Sequence, residues 1–281
     1  MLPDHSLKKI VRDYLDNNLE LFRSNLEKAQ REHDPDAIHD YRVAVKRIRA
    51  VVRAVDQSFQ DGVFPENLIV PLRLMFKAGG TIRDDQVQLG MLEELENEYG
   101  QKFPLIREYY LQKMKDQKSA FFVKSFDLET ADLNQIGEEI SESLAPLDEH
   151  ELETNLYQWL HSSMTKLQRK RYDLDNAERL HRFRTRYKQN SYIVELLYLS
   201  KFDRRITKSS FSVMKAFGQL MGEWHDYFQL MSNTAFIFKE SRNVKLLEES
   251  LELRKLVTPK HDRIMQEILH QIKRDDSLFS F

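Results

Sequence analysis

The feature that most constrains this chain is that it repeats itself across a fixed distance. His39, Arg42 and Lys46 recur as His181, Arg184 and Lys188, each displaced by 142 residues. At the same displacement Arg73 meets Lys215, Gly80 meets Gly222, Arg83 meets His225 and Asp84 meets Asp226. Lys28 with Lys170, Lys113 with Lys255 and Lys118 with Lys260 continue the series. The apolar frame moves with the charges, since Leu72, Met75, Ile82 and Leu89 become Met214, Phe217, Trp224 and Met231. A single offset without a gap predicts an internal duplication. The 3,4 spacing of the apolar positions is that of a bundle seam, so each copy is expected to form a bundle of about four helices. The expected fold class is all-α, with two four-helix bundles related by a pseudo-twofold axis. Their boundaries are placed at 1–135 and 143–281.

Composition supports long helices. Eight glycines and seven prolines in 281 residues are about half the usual share, too few for the turns of a sandwich or barrel. Helical periodicity predicts a first helix over 5–31, with Ile10, Tyr14, Leu15, Leu19, Phe22 and Leu26 on its buried side. Asp34-Pro35 suits a helix start, with the carboxylate at N-cap and proline at N1. That helix runs to about Phe59, a third starts near Pro65, and a fourth spans Pro104 to about Phe126. The acidic stretch Asp127–Glu153, with Gly137 and Pro146, reads as a short helix or linker. Helices resume over 150–172, 176–202, 208–240 and 243–275.

Several function classes are excluded at this point. With no cysteine, disulfides, thiolate metal sites and a cysteine nucleophile are absent, and zinc would need His and carboxylate ligands. No segment approaches the roughly 20 apolar residues of a spanning helix, and the start MLPDHSLKKI has no apolar h-region. A cytoplasmic protein outside the membrane is expected, with no cofactor and no metal.

A net charge of −2 conceals strong segregation. Between Ser125 and Thr165 there are ten acids and no Lys or Arg, whereas His161–Ser191 carries nine basic residues against three acidic ones. In HDYRVAVKRIRAVVR, His39, Arg42, Lys46, Arg49 and Arg53 stand at steps of 3, 4, 3 and 4. At 100° per residue they share an arc of about 80° along roughly 21 Å of helix. Arg47 falls outside it. Like charges at i and i+4 destabilise a helix by a few tenths of a kcal/mol per pair, so this rail calls for a counter-charge. A solvated face is the ordinary explanation of such a run. Recurrence of the His, Arg and Lys in LHRFRTRYK weighs toward anion binding, although Ser191 and Glu195 replace Arg49 and Arg53 there. Neutral His39 and His181 can each donate one hydrogen bond to a phosphate or hold a neighbouring helix. Asp84 and Asp226 are candidates to orient the nearby cations.

These residues resemble the CHAD domain family. The elements are H-x-x-R-V-x-x-K-R-x-R at His39–Arg49, H-x-x-R-x-x-x-K-x-x-x-Y-x-x-E at His181–Glu195, and the Gly-x-x-[RH]-Asp turns at Gly80–Asp84 and Gly222–Asp226. The resemblance covers about residues 5–275. It implies two four-helix bundles around a basic central cavity that binds inorganic polyphosphate, with association with polyphosphate granules. It assigns phosphate contacts to His39, Arg42, Lys46, Arg49, His181, Arg184 and Lys188. Ser191 departs from the basic residue usual at its position. Arg53, Arg73, Lys215, Lys28, Lys170, Lys113, Lys255, Lys118 and Lys260 complete the candidate polyphosphate-binding set, with no catalytic residue.

Three other readings compete. His33-Asp34, His39-Asp40, His225-Asp226 and His261-Asp262 would suit a metal-dependent phosphohydrolase of the HD type. These dipeptides do not follow the repeat, whereas the cations do. A generic nucleic-acid or polyanion module would use the same rails, yet the aromatics follow the apolar frame instead of alternating with cations as stacking platforms. In the third, a scaffold docks its rails on its own Asp127–Glu153 stretch.

Overall fold

The computed structural model describes residues 6–31, 35–126, 130–174, 176–200 and 206–279. It is all-helical, with no strand among those residues. The elements are α1 (Leu7–Arg31), α2 (Pro35–Ser58), α3 (Val70–Ala78), α4 (Gly80–Tyr99), α5 (Pro104–Phe126), α6 (Thr130–Leu144), α7 (Glu149–Lys170), α8 (Ala177–Leu199), α9 (Lys208–Glu240) and α10 (Val244–Arg274). A 3-10 turn at Asp276–Phe279 follows.

Apolar spacing explains how the helices associate. Leu7, Val11, Leu15, Leu19, Phe22 and Leu26 of α1 are buried against Ile38, Tyr41, Val45, Ile48, Val52 and Val55 of α2. Recurrence every three or four residues keeps each set on one stripe, and burying such a side chain contributes ~1.5–3 kcal/mol. α6, α7 and α8 close this larger core, which also takes in residues of α3, α4, α9 and the end of α10. A second core joins Leu92 and Leu95 of α4, Phe103, Ile106 and Tyr110 at α5, Leu230 of α9, and Leu253 and Val257 of α10. Both cores therefore draw helices from each side of residue 140.

Helix starts are capped locally. Asp148 accepts from the Glu151 amide and Asn176 from the Arg179 amide, both at 2.9 Å. Thr207 and Ser210 form a reciprocal capping box, and Asn243 accepts from the Lys245 and Leu246 amides. Each cap satisfies amides that a helix start leaves without partners. The cap expected of Asp34 lies outside the described residues.

Two segments differ from the sequence reading. The chain makes a turn after Pro65, with the Leu68 amide donating to the Pro65 carbonyl, and α3 begins only at Val70. The helix then breaks at Gly79 and Gly80, where a Cβ on Gly79 would lie 1.5 Å from the Tyr41 hydroxyl. A Cβ on Gly80 would lie 2.7 Å from the Arg42 guanidinium. Two side chains of α2 thus require two glycines 38 residues further on in the chain, from Tyr41 to Gly79 and from Arg42 to Gly80. The acidic stretch contains a true helix, α6, whose Leu133, Ile136, Ile140 and Leu144 pack into the larger core beside α1.

Candidate anion-binding cavity

The rail on α2 is realised as a stacked array. Arg42, Lys46 and Arg49 are half-buried, and the ring of Phe76 from α3 lies beneath all three. The Arg42 Cζ is 4.2 Å from the ring centroid, the Arg49 Cζ 5.4 Å and the Lys46 Nζ 5.9 Å. The negative face of an aromatic ring attracts cations, so Phe76 offsets part of their mutual repulsion. Arg42 also donates to the Phe76 carbonyl. On α8, Arg184 Nε donates to the Met221 carbonyl at 3.0 Å, and Lys188 runs along α9 past Gly218 and Gly222.

The two rails are close enough to act on one another. The Lys46 ammonium is pushed down to about 8, chiefly by burial and then by Arg42 of its own helix and Lys188 and Arg184 of α8. Asp84 acts in the opposite direction without restoring it. Burial likewise works against the charged forms of Arg42, Arg184 and Lys188. Among the described residues, Arg42, Lys46, Arg49, Arg184 and Lys188 make no ion pair. The cation that does pair is Arg47, outside the rail arc, whose guanidinium meets Glu195 at 2.5 Å. No rail cation pairs with the described part of the acidic stretch either; Lys8 reaches the Ala145 and Leu147 carbonyls there, and Arg23 reaches Asn134.

Imidazoles and carboxylates border this cluster. The rings of His181 and His225 lie 4.9 Å apart. Burial, then Arg184, His181, Lys46 and Lys188, push His225 down to about 3. His181 is lowered by burial and Arg184, and His39 by burial and then Arg83, so all three favour the neutral form. Asp226 is raised by burial against the pull of Arg184, Lys188 and Arg83, and Asp84 by burial against Arg42 and Lys46. Asp84 is nonetheless reached by solvent.

The remaining candidates divide. Arg53 and Arg73 are exposed, and both act on Arg49, extending the positive surface outward from the cavity. His39 is exposed near Arg83. Lys113 is instead bound to the buried Asp85 at 2.7 Å, Lys255 to Glu252 at 2.6 Å, and Lys260 to Glu98 at 2.8 Å. A carboxylate already neutralises each of these three. Lys28 and Lys170 are exposed near the ends of α1 and α7, Lys118 is half-exposed on α5, and Lys215 is exposed on α9. None of these four is among the charges that perturb Lys46, Lys188 or His225.

Phe76 carries no signal of its own in the sequence, since it sits in an apolar helix and its counterpart at the 142-residue displacement is Gly218. Arg83 is visible as a repeat position, but its reach toward both His39 and Asp226 depends on tertiary placement. Among the described residues, no group of three or more His, Asp or Glu is arranged to hold a metal ion. His261 bonds its own neighbour Asp262 at 2.9 Å and packs near the Trp224 and Phe228 rings, and His33-Asp34 lies outside the described residues.

The helices define an all-helical protein, and α2 and α8 carry a cluster of half-buried cations that make no ion pair among the described residues. The family model of the CHAD domain matches residues 13–232, and the chain belongs to the CHAD domain family. A solved structure, the crystal structure of the CHAD domain from the plant Ricinus communis, is similar over 94% of this chain and 92% of that one. Its TM-score is 0.73 at 19% identity, a likeness of fold. No curated protein sequence matches. No helix among the described residues is long and apolar enough to cross a membrane.

Proposed function

We propose that this protein binds inorganic polyphosphate in the cavity between α2 and α8, without turning it over. The observation that carries this reading is the mutual effect of Lys46, Arg184 and Lys188, half-buried cations on two helices with no carboxylate paired to them among the described residues. Such a cluster is costly when empty and gains most from a ligand of high linear charge density that brings little else to bury. A phosphate chain has about one charge per internal unit, so it can answer several cations at once and release counter-ions as it does. His181, and His39 nearer the rim, would each offer a neutral N–H to a phosphate oxygen. Association with polyphosphate granules and a cytoplasmic location follow from that ligand.

The same proposal includes a duplication. Shifted by 142 residues, α1 overlays α7, α2 overlays α8, α3 with α4 overlays α9, and α5 overlays α10, while α6 has no counterpart. A pseudo-twofold axis between two four-helix sets accounts for cations of both copies meeting at one centre. The test is a titration with long-chain polyphosphate and with single-stranded RNA at equal phosphate concentration and two salt concentrations. The reading expects polyphosphate to bind more tightly, with log affinity falling linearly in log salt. RNA displacing polyphosphate, or a flat salt dependence, overturns it.

A further inference from the structure

A second cavity, of about 470 Å³, lies between the C-terminal end of α2 and the helices α7 and α8. Its wall includes Asn155, Gln158, Trp159, Ser162, Lys166 and Arg186, with Gln57 of α2 accepting from Trp159 Nε1 at 3.4 Å. No acidic residue lines it, and neither Lys166 nor Arg186 makes an ion pair among the described residues. Arg186 is two residues from both Arg184 and Lys188, about 200° around the helix in sum of turns, so it points away from the central cavity.

The site stands out against the chain's own repeat. At the 142-residue displacement Asn155, Gln158 and Ser162 correspond to Asp13, Asp16 and Glu20. Lys166 and Arg186 correspond to Ser24 and Ala44, and Trp159 to Asn17. Three carboxylates have become neutral hydrogen-bonding groups, and two cations and an indole have been added, all around one hollow. Scattered drift of a solvated face would not concentrate changes of one sign at the lining of a cavity.

We infer that this second cavity binds the phosphate monoester of a ring compound, with Lys166 and Arg186 on the phosphate, Trp159 on the ring face and the amides and hydroxyls on ring substituents. Arg suits phosphate because its planar fork matches the oxygens, and an indole accepts the flat face of a nucleobase or the apolar face of a sugar. A nucleotide and a sugar phosphate share this chemistry, so the probes are AMP and glucose 6-phosphate, with inorganic phosphate as the comparison. The inference does not depend on the polyphosphate reading.

Tryptophan emission of the full chain reports it, because Trp224 is fully buried and Trp159 is partly exposed. AMP, glucose 6-phosphate or both should change the emission with a Kd of about 0.1 mM or tighter, and at least tenfold more tightly than inorganic phosphate. Which of the two binds identifies the ring. Gln158→Asp with Ser162→Glu restores two acids at exposed positions that leave the core untouched, and should weaken binding at least about tenfold through like-charge repulsion. Unchanged affinity in that variant, or binding of inorganic phosphate as tight as that of AMP and glucose 6-phosphate, would overturn the assignment.

Discussion

The two rails carry His, Arg and Lys at the same spacing, yet they are different electrostatic devices. On α2, Arg42, Lys46 and Arg49 share the face of Phe76. On α8, Arg184 and Lys188 run beside the glycines of α9, Ser191 replaces the third cation, and the His181–His225 ring pair occupies the flank. An aromatic ring lets three cations lie side by side. Where the ring is missing the helix carries two, and neutral imidazoles complete the wall. The shared spacing keeps charge placement, and the local environment decides how much charge each helix tolerates.

The comparison can be broken by reversing charge on one side at a time. Under the polyphosphate proposal, Arg42→Glu with Lys46→Glu should weaken polyphosphate binding about a thousandfold, equivalent to ~4 kcal/mol. Arg184→Glu with Lys188→Glu should cost about a hundredfold on the same scale. Equal losses, read by titration at one salt concentration with helicity checked by circular dichroism, would remove the asymmetry. Ser191→Arg should sharpen it in the other direction, tightening binding and steepening the log–log salt slope by about one. Phe76→Leu keeps every cation but removes the ring, and should lower affinity about fivefold, ~1 kcal/mol.

Proton linkage supplies the most specific of these effects. Lys46 sits at about 8 in the folded protein, below its ordinary value near 10.5. The unfolded chain therefore holds the proton more tightly between those values, so stability of the free protein rises with pH across that window and is least below about pH 8. A bound polyanion favours the ammonium, so binding should take up protons near pH 8 and flatten the dependence. Thermal melts from pH 7 to 10, with and without tripolyphosphate, measure this. Lys46→Met should raise the melting temperature of the free protein and abolish the pH effect, since it removes a buried like charge.

Much of the fold is legible residue by residue. The segments 104–126 and 208–240 stand as helices over the expected spans, α2 and α10 agree within a residue at their ends, and α8 starts within a residue but ends at Leu199, three residues before the expected 202. Proline and Asn or Thr starts and apolar stripes are local signals, complete within one or two turns. The demand for glycine at 79 was not legible, because it comes from Tyr41 on another helix, and at Gly80 the Arg42 guanidinium adds to it. Lys113, Lys255 and Lys260 look like members of the repeat, yet their carboxylate partners Asp85, Glu252 and Glu98 follow no 142-residue rule. Phe76 carries no signal in the repeat, since Gly218 stands at its displacement.

The amino-acid order alone determined that the chain is helical, which stripe of each helix is apolar and which face carries the cations, because a 3.6-residue period is a property of consecutive residues. Only the tertiary structure decided that Lys46 meets Arg184 and Lys188, that Phe76 lies under three cations, and that three repeated lysines are spent on carboxylates elsewhere. Those outcomes depend on which helices touch. Contact across more than a hundred residues is set by the packing of whole apolar faces, and no periodicity within one helix records it.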